Sequence, residues 1–241
     1  MNIALLYLIS GILIFLCLIY GLVSQTLVNA TFNEYSSIYS ASGITGAEVA
    51  RRLLKKAGAN VEVVRINGTL TDCYNSKYKV IKLSNEVYDS NSISALGVAA
   101  HETGHAIQDC SGMFWFKLKT FISPVLSLIS RLCIPLVLIG AIVDIVFLLP
   151  TVGFYIVLVS VISYGVALIF NILTLPLEYD ASKRALKMLK EEGFLTESEL
   201  KGAKSVLRAA LHTYISSFMT SLVYFLRFLG LLVMFITRRE H

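Results

Sequence analysis

Four long apolar runs restrict what this chain can fold into more than any other feature. The first, from Ile3 to Val23, contains about 20 almost uninterrupted apolar residues, the length that a helix needs to cross a bilayer. Three more lie at about 123–149, 151–175 and 213–236. Because a chain in hydrocarbon must satisfy its own backbone hydrogen bonds, such runs predict transmembrane helices. We therefore expect a mainly α, integral membrane protein with about four transmembrane helices.

The composition agrees with a multi-pass protein of the cell membrane. Of the 241 residues, 56% are hydrophobic and 15% are charged, whereas a soluble domain has about 25% charged residues. No basic segment precedes the first run, which favours a retained span over a cleaved signal peptide. The net charge of +5 is not accompanied by an arginine-rich, aromatic-interleaved segment. We therefore expect the lipid bilayer as a partner and no nucleic acid.

Two polar stretches separate the runs, and both carry signals of regular structure. In the first stretch, Thr45–Glu48 has the pattern of a capping box, which predicts a helix ending near Gly58. Strand-forming residues follow at 61–83 and include the turn dipeptide Asn67-Gly68, so we expect a small sheet built on one or two hairpins. The second stretch, 177–212, is a polar helical segment with a break near Glu192-Gly193.

The pentapeptide His101-Glu-Thr-Gly-His105 carries the clearest chemical signal. A helix is predicted to begin near Ser92 or Ser94 and to run to about Asp109, and on it His101 and His105 share one face. Two neutral imidazoles at this spacing suit Zn²⁺, and Glu102 between them is placed to take a proton from an activated water. Gly104 is expected to let another backbone pack closely against this helix.

A catalytic zinc usually has three protein ligands, so the histidine pair requires a partner from elsewhere in the chain. No third histidine follows closely. Glu178 is the favoured candidate because it lies where the third span gives way to a polar helix. Three other residues remain as alternatives for the third ligand: Asp180, His212 and Asp109.

Two predicted spans separate the two polar stretches, so both stretches are expected on the same side of the membrane. The expected fold therefore has a small α+β zincin-like catalytic domain on one membrane face. Because 177–212 carries seven Lys or Arg residues, the positive-inside tendency predicts that this face is cytoplasmic. The expected segments are a span at 1–23, an α+β catalytic region at 24–120, two spans at 121–176, the polar helical segment at 177–212, and a span with a basic tail at 213–241.

Several ordered motifs extend the signal beyond the pentapeptide. They are Ser42–Arg51, Gly68–Asp72 with Tyr74, Lys79–Ser84, Ala99–Gln108 and Thr174–Ser182. With these motifs, the chain resembles the neutral membrane zinc metallopeptidases of the YugP-like family over nearly its whole length. The resemblance implies a zinc-dependent endopeptidase that acts on peptides or membrane proteins. It further implies His101 and His105 as zinc ligands, Glu102 as the catalytic acid/base, and Glu178 as the third ligand.

The chain departs from the family pattern in one segment, where Cys73 stands in place of histidine and Asn75-Ser76 in place of Asp-Pro. A thiolate can bind zinc, so a latent enzyme with Cys73 on the metal is an alternative to an ordinary thiol. Two other function classes also remain open. One is a protease that cuts within the bilayer, although the helix turns polar at Gln108-Asp109. The other is a catalytically silent membrane scaffold or partner-binding protein that retains a zinc site.

Overall fold

The computed structural model describes residues 3–239, and helices dominate them. One long helix comes first, the shorter elements follow it, and three long helices end the chain. In order, the elements are α1 (Ile3–Ser36), α2 (Gly46–Lys56), β1 (Glu62–Ile66), β2 (Cys73–Asn75), β3 (Val80–Ser84), α3 (Asn85–Tyr88), α4 (Ile93–Cys110), α5 (Phe114–Ile145), α6 (Pro150–Glu191) and α7 (Glu197–Arg239). The expected basic tail ends at Glu240 and His241, which lie outside the described residues.

Four of these helices, α1, α5, α6 and α7, are long and apolar enough to cross a membrane. The prediction of a mainly helical chain with about four candidate spans is therefore confirmed. The prediction of a separate polar helix after the third span is wrong, because α6 continues unbroken through Pro176 as far as Glu191. Proline removes only one backbone donor from the helix, and neighbouring hydrogen bonds maintain it. The expected break occurs only at 192–196, where Gly193 has a φ of +64°.

The chain forms two compact units, which we call the apolar unit and the mixed unit. The mixed unit comprises Val23–Leu118 and Leu175–Thr213, and the other described residues form the apolar unit. Within the apolar unit, α5 and α6 approach closely at Gly140 and Gly153. A Cβ added to Gly153 would lie 2.6 Å from the Gly140 carbonyl oxygen. Small residues of this kind commonly let membrane helices pack backbone to backbone.

The mixed unit contains a three-stranded sheet with the order β1-β3-β2. Strands β2 and β3 form the expected antiparallel hairpin, but β1 pairs with β3 in parallel rather than with β2. The small sheet is therefore built on one hairpin, as expected, and the strands on either side of Asn67-Gly68 do not pair with each other. The physical reason lies in β3, which is buried at four of its five positions. Strand β3 lies in the middle of the sheet, where its apolar residues are buried, and the more exposed β1 and β2 form the edges.

Helix α4 is the centre of the mixed unit. One of its faces contributes Ala95, Ala99 and Ala106 to a core cluster that includes the sheet. Its other face contributes Leu96 and Ala100 to a second cluster with residues of α2, α6 and α7. Because the helix is rich in alanine and glycine, neighbouring elements reach its backbone from both sides. The prediction of a buried helix over about 92–109 is confirmed, with Ser92 as its N-cap.

The predicted capping box at the start of α2 is confirmed. The Thr45 hydroxyl accepts a hydrogen bond from the Glu48 amide, and the Glu48 carboxylate accepts one from the Thr45 amide. Helix α2 then buries Val49 and Leu53 against α4 and α6.

We expect Thr45→Ala to lower the free energy of unfolding by about 1 kcal/mol, because the hydroxyl that accepts from the Glu48 amide is lost and the capping box is broken. Denaturant titration in detergent micelles measures this change. Thr45→Ser keeps the hydroxyl and should retain most of the stability. Equal losses in the two variants would show that the hydroxyl is not the stabilising group.

Candidate metal centre

Two imidazoles and one carboxylate converge in the mixed unit. Helix α4 presents His101 and His105 on one face, and α6 contributes Glu178. The Nε2 atoms of His101 and His105 lie 3.4 and 3.3 Å from the same carboxylate oxygen, Oε2 of Glu178. One possible ligand atom from each residue lies within 4.8 Å of the others, and among the described residues these three form the group with this property. His105 and Glu178 are buried, and His101 is partly buried.

The spacing of these atoms suits a tetrahedral metal ion. Zinc binds nitrogen and oxygen at about 2.0–2.1 Å, so two ligand atoms at tetrahedral positions are about 3.3–3.4 Å apart. The two measured distances fall at this value. Two imidazoles with one carboxylate also form a donor set that zinc enzymes use, with a fourth position left for water or substrate. The residues present therefore fit a zinc ion.

The close packing of α4 against α6 brings the carboxylate within reach of the imidazoles. A Cβ added to Gly104 would lie 2.8 Å from the Ala181 carbonyl oxygen and 3.3 Å from the Ala181 Cα. Ala181 is about one helical turn beyond Glu178, and Gly104 directly precedes His105. The expectation that Gly104 permits a close backbone approach is confirmed.

The Nδ1 atom of each imidazole has a hydrogen-bond partner within the mixed unit. The Nδ1 atom of His105 lies 3.0 Å from Oε1 of Gln108, and Nδ1 of His101 lies 3.2 Å from the Ser182 hydroxyl. Metal-binding histidines typically make such bonds, which fix the ring orientation. The Nε2 atoms consequently face the carboxylate of Glu178.

Glu102, between the two histidines in the sequence, does not belong to this group of three. It is buried, and its Oε2 atom accepts a hydrogen bond of 2.7 Å from the Tyr74 backbone amide on the edge strand β2. A carboxylate held by a backbone donor has a defined orientation. The strand therefore positions the one acidic side chain that the pentapeptide adds to its histidines.

A polar network at the end of α4 holds β2 in this place. Oδ2 of the buried Asp109 accepts hydrogen bonds from the Tyr74 hydroxyl at 2.7 Å, from Lys79 Nζ at 2.6 Å and from the Ser76 hydroxyl. Burial alone would raise the pKa of Asp109, but the bonds from Lys79, Ser76 and Tyr74 outweigh it and hold that pKa below its ordinary value. Burial, reinforced by Asp109, raises the pKa of Tyr74. At neutral pH the network therefore pairs an ionised Asp109 with a protonated Tyr74.

Sequence reasoning missed this network, although one part of its signal was available. His101, His105 and Asp109 recur every four residues and so lie along one face of α4. The residues that bond Asp109 come from a segment about 30 positions earlier, and local spacing does not identify them. Phe116 was missed as well, and its ring centroid lies 5.8 Å from that of His105 and 6.2 Å from that of Tyr74.

The alternative ligand candidates lie outside the convergent group. Asp109 is bonded in the network above, and Asp180 accepts hydrogen bonds from Gln108 and Arg184. Within the described part of the chain, neither His212 nor Cys73 belongs to the group of three. Cys73 is an exposed free thiol. Desolvation of this thiol, with the nearby Glu102 carboxylate as the next cause, raises the pKa of Cys73.

Gly104→Ala is expected to force α6 away from α4. It should destabilise the protein by about 1–3 kcal/mol, as overpacking does, and should weaken zinc binding by separating Glu178 from the histidines. Thermal unfolding and zinc titration of the purified protein measure the two effects. Gly97→Ala is a matched control on the same helix, because the atom nearest to its Cβ would be the Ala203 Cβ at an ordinary 3.4 Å. Equal behaviour of the two variants would contradict this account of the contact.

Comparison with known proteins gives two matches. A family model described as "Putative neutral zinc metallopeptidase" matches residues 10–233. A Bacillus subtilis (strain 168) protein described as "Putative membrane protease YugP" is 38% identical over 206 residues, which cover 85% of this chain and 88% of the relative. No solved structure matches the chain. The family model spans most of the chain and includes all three convergent residues. The chain therefore belongs to the neutral zinc metallopeptidase family that this model describes.

Proposed function

We propose that this protein is a zinc-dependent membrane endopeptidase that hydrolyses peptide bonds near the membrane surface. The observation that carries the proposal is the convergence of the His101, His105 and Glu178 ligand atoms. Membership of a zinc metallopeptidase family and similarity to a protein named as a membrane protease support it. The four long apolar helices support a location in the membrane.

In the proposed mechanism, His101, His105 and Glu178 would hold the zinc ion. When bound, zinc supplies a Lewis acid and lowers the pKa of a water molecule. Glu102 acts as general base toward the attacking water and then as general acid toward the leaving amine nitrogen. The Tyr74 amide keeps the Glu102 carboxylate oriented during both proton transfers, and the Asp109 network holds Tyr74.

An extended peptide is the substrate that fits this arrangement best. Strand β2 lies at an edge of the sheet, and its central residue contacts Glu102. A peptide chain can add to such an edge by main-chain hydrogen bonds. A peptide bound beside β2 would therefore lie near the proposed general base.

Glu102→Gln should abolish peptide hydrolysis while zinc stays bound. Loss of a general acid/base typically reduces the rate by about 10²–10⁴-fold, and the amide oxygen still accepts a hydrogen bond from Tyr74. Cleavage of a mixed peptide library, followed by mass spectrometry, measures the activity, and metal analysis measures the zinc content. Glu62→Gln, at an exposed position of β1, is the control and should remain active.

Zinc bound equally to the parent protein and to Glu102→Gln, with the same hydrolysis in both, would contradict the assigned role of Glu102. Zinc bound without hydrolysis of any peptide by the parent protein would favour the silent scaffold. Glu178→Ala should lose zinc and activity together, because the buried site is then left with two ligands.

We further propose that the mixed unit faces the cytoplasm, because its polar segment is rich in lysine and arginine. Cys73 and Cys110 are exposed on this unit and report its side. In a chain whose other two cysteines are replaced, a membrane-impermeant maleimide should label them only after the cells are permeabilised. Leu148→Cys, between α5 and α6 in a chain without other cysteines, should be labelled in intact cells. The reverse pattern would place the mixed unit outside.

A further inference from the structure

Gln108 occupies an unusual position for an amide side chain, because it is completely buried and its amide group has three hydrogen-bond partners. Its Oε1 atom faces Nδ1 of His105 at 3.0 Å. Its Nε2 atom lies 3.0 Å from the Leu177 carbonyl oxygen and 2.9 Å from Oδ2 of Asp180. Each polar atom of the amide therefore has a partner.

These contacts determine where the protons lie. The Leu177 carbonyl and the Asp180 carboxylate can only accept hydrogen bonds, so the NH₂ group of Gln108 must point toward them. The amide oxygen is then the atom that faces His105, and an amide oxygen accepts. Nδ1 of His105 must consequently carry a proton, and the neutral ring has its lone pair on Nε2. That nitrogen is the one that faces Glu178.

We propose that Gln108 is a positioning residue, oriented by Asp180 and Leu177, that holds His105 in the Nδ1–H tautomer required for metal binding through Nε2. The inference rests on the proposed zinc site and extends it by one shell of contacts. Asp180 thereby has a role outside the ligand set. Its carboxylate orients an amide instead of binding the metal.

The arrangement also joins two of the proposed ligands through one segment of α6. Leu177 and Asp180 lie on either side of Glu178, so a few residues provide the carboxylate and also orient the amide beside His105. Arg184, one turn later, donates to Asp180 Oδ2 through Nε at 2.6 Å and holds that carboxylate in place. A shift of α6 would thus alter the Glu178 position and the His105 tautomer together.

The matched substitution Gln108→Met tests this role, because methionine keeps the length of the side chain and removes both hydrogen-bonding groups. In ¹⁵N-histidine-labelled, metal-free protein, the ring nitrogens of the parent should show the Nδ1–H tautomer at His105. Gln108→Met should lose this preference, and its zinc affinity, measured against a competing chelator, should fall about 10–100-fold. Gln25→Met, at the chain's other glutamine, which is exposed, should change neither the His105 tautomer nor the zinc affinity.

Gln108→Glu distinguishes positioning from simple packing, because it keeps the size of the side chain and removes its NH₂ group. The new carboxylate would face the Leu177 carbonyl and the Asp180 carboxylate, which can only accept hydrogen bonds, so Gln108→Glu should also weaken zinc binding. If Gln108→Met fails to fold, Asp180→Ala is the alternative variant, because Asp180 is only partly buried. It should also weaken zinc binding, since the Gln108 amide loses one of the groups that orient it.

Two results would overturn the proposal. One is an Nε2–H tautomer at His105 in the metal-free parent protein. The other is an unchanged tautomer and zinc affinity in folded Gln108→Met. If the parent binds no zinc at all, the proposed function fails, but the tautomer of the metal-free protein still decides the assignment of Gln108.

Discussion

The contact between Gly104 and Ala181 is the constraint on which the proposed site depends. A helix can align two imidazoles by itself, because residues four apart share a face. It cannot supply the third donor at the right distance. The missing Cβ of Gly104 lets the backbone of α6 approach until Glu178 lies 3.3–3.4 Å from both Nε2 atoms. The chemistry of the site therefore follows from a single close packing contact in the mixed unit.

The surroundings of the site consist of buried polar groups that satisfy one another. Asp109 has three hydrogen-bond donors on one oxygen, and Gln108 connects His105 to α6. A buried polar group without partners would be costly, so each network favours one arrangement of its side chains. Metal ligands and a general base require such defined geometry, because small displacements reduce catalysis strongly.

Much of the architecture could be predicted from local patterns. Apolar runs indicated four candidate spans, the capping box indicated the start of α2, and the pentapeptide predicted a helix with His101 and His105 on one face. The parallel pairing of β1 with β3 could not be predicted, because it depends on which strand is covered on both faces. The start of a separate polar helix near Glu178 was expected from the change in polarity, whereas α6 continues through that change as one helix.

For the site, sequence spacing identified the residues that lie close in the chain. The position of Glu178 at the end of the third span, and then the family resemblance, favoured it over Asp180, Asp109 and His212. The structure brings Glu178 to the histidines and places Asp109 and Asp180 in hydrogen-bond networks with other residues. Those networks join positions that are about 30 and 70 residues apart, a separation at which spacing carries no information. The proposed roles of His101, His105 and Glu178 require that these three residues bind a metal ion.

Anomalous diffraction at the zinc absorption edge, from crystals of the purified protein, tests that point most directly. We predict a single strong peak bonded to Nε2 of His101, Nε2 of His105 and the Glu178 carboxylate, with Glu102 nearby but not bonded. A zinc-loaded crystal with no peak among these three residues, or with a peak bonded to other side chains, would contradict the account.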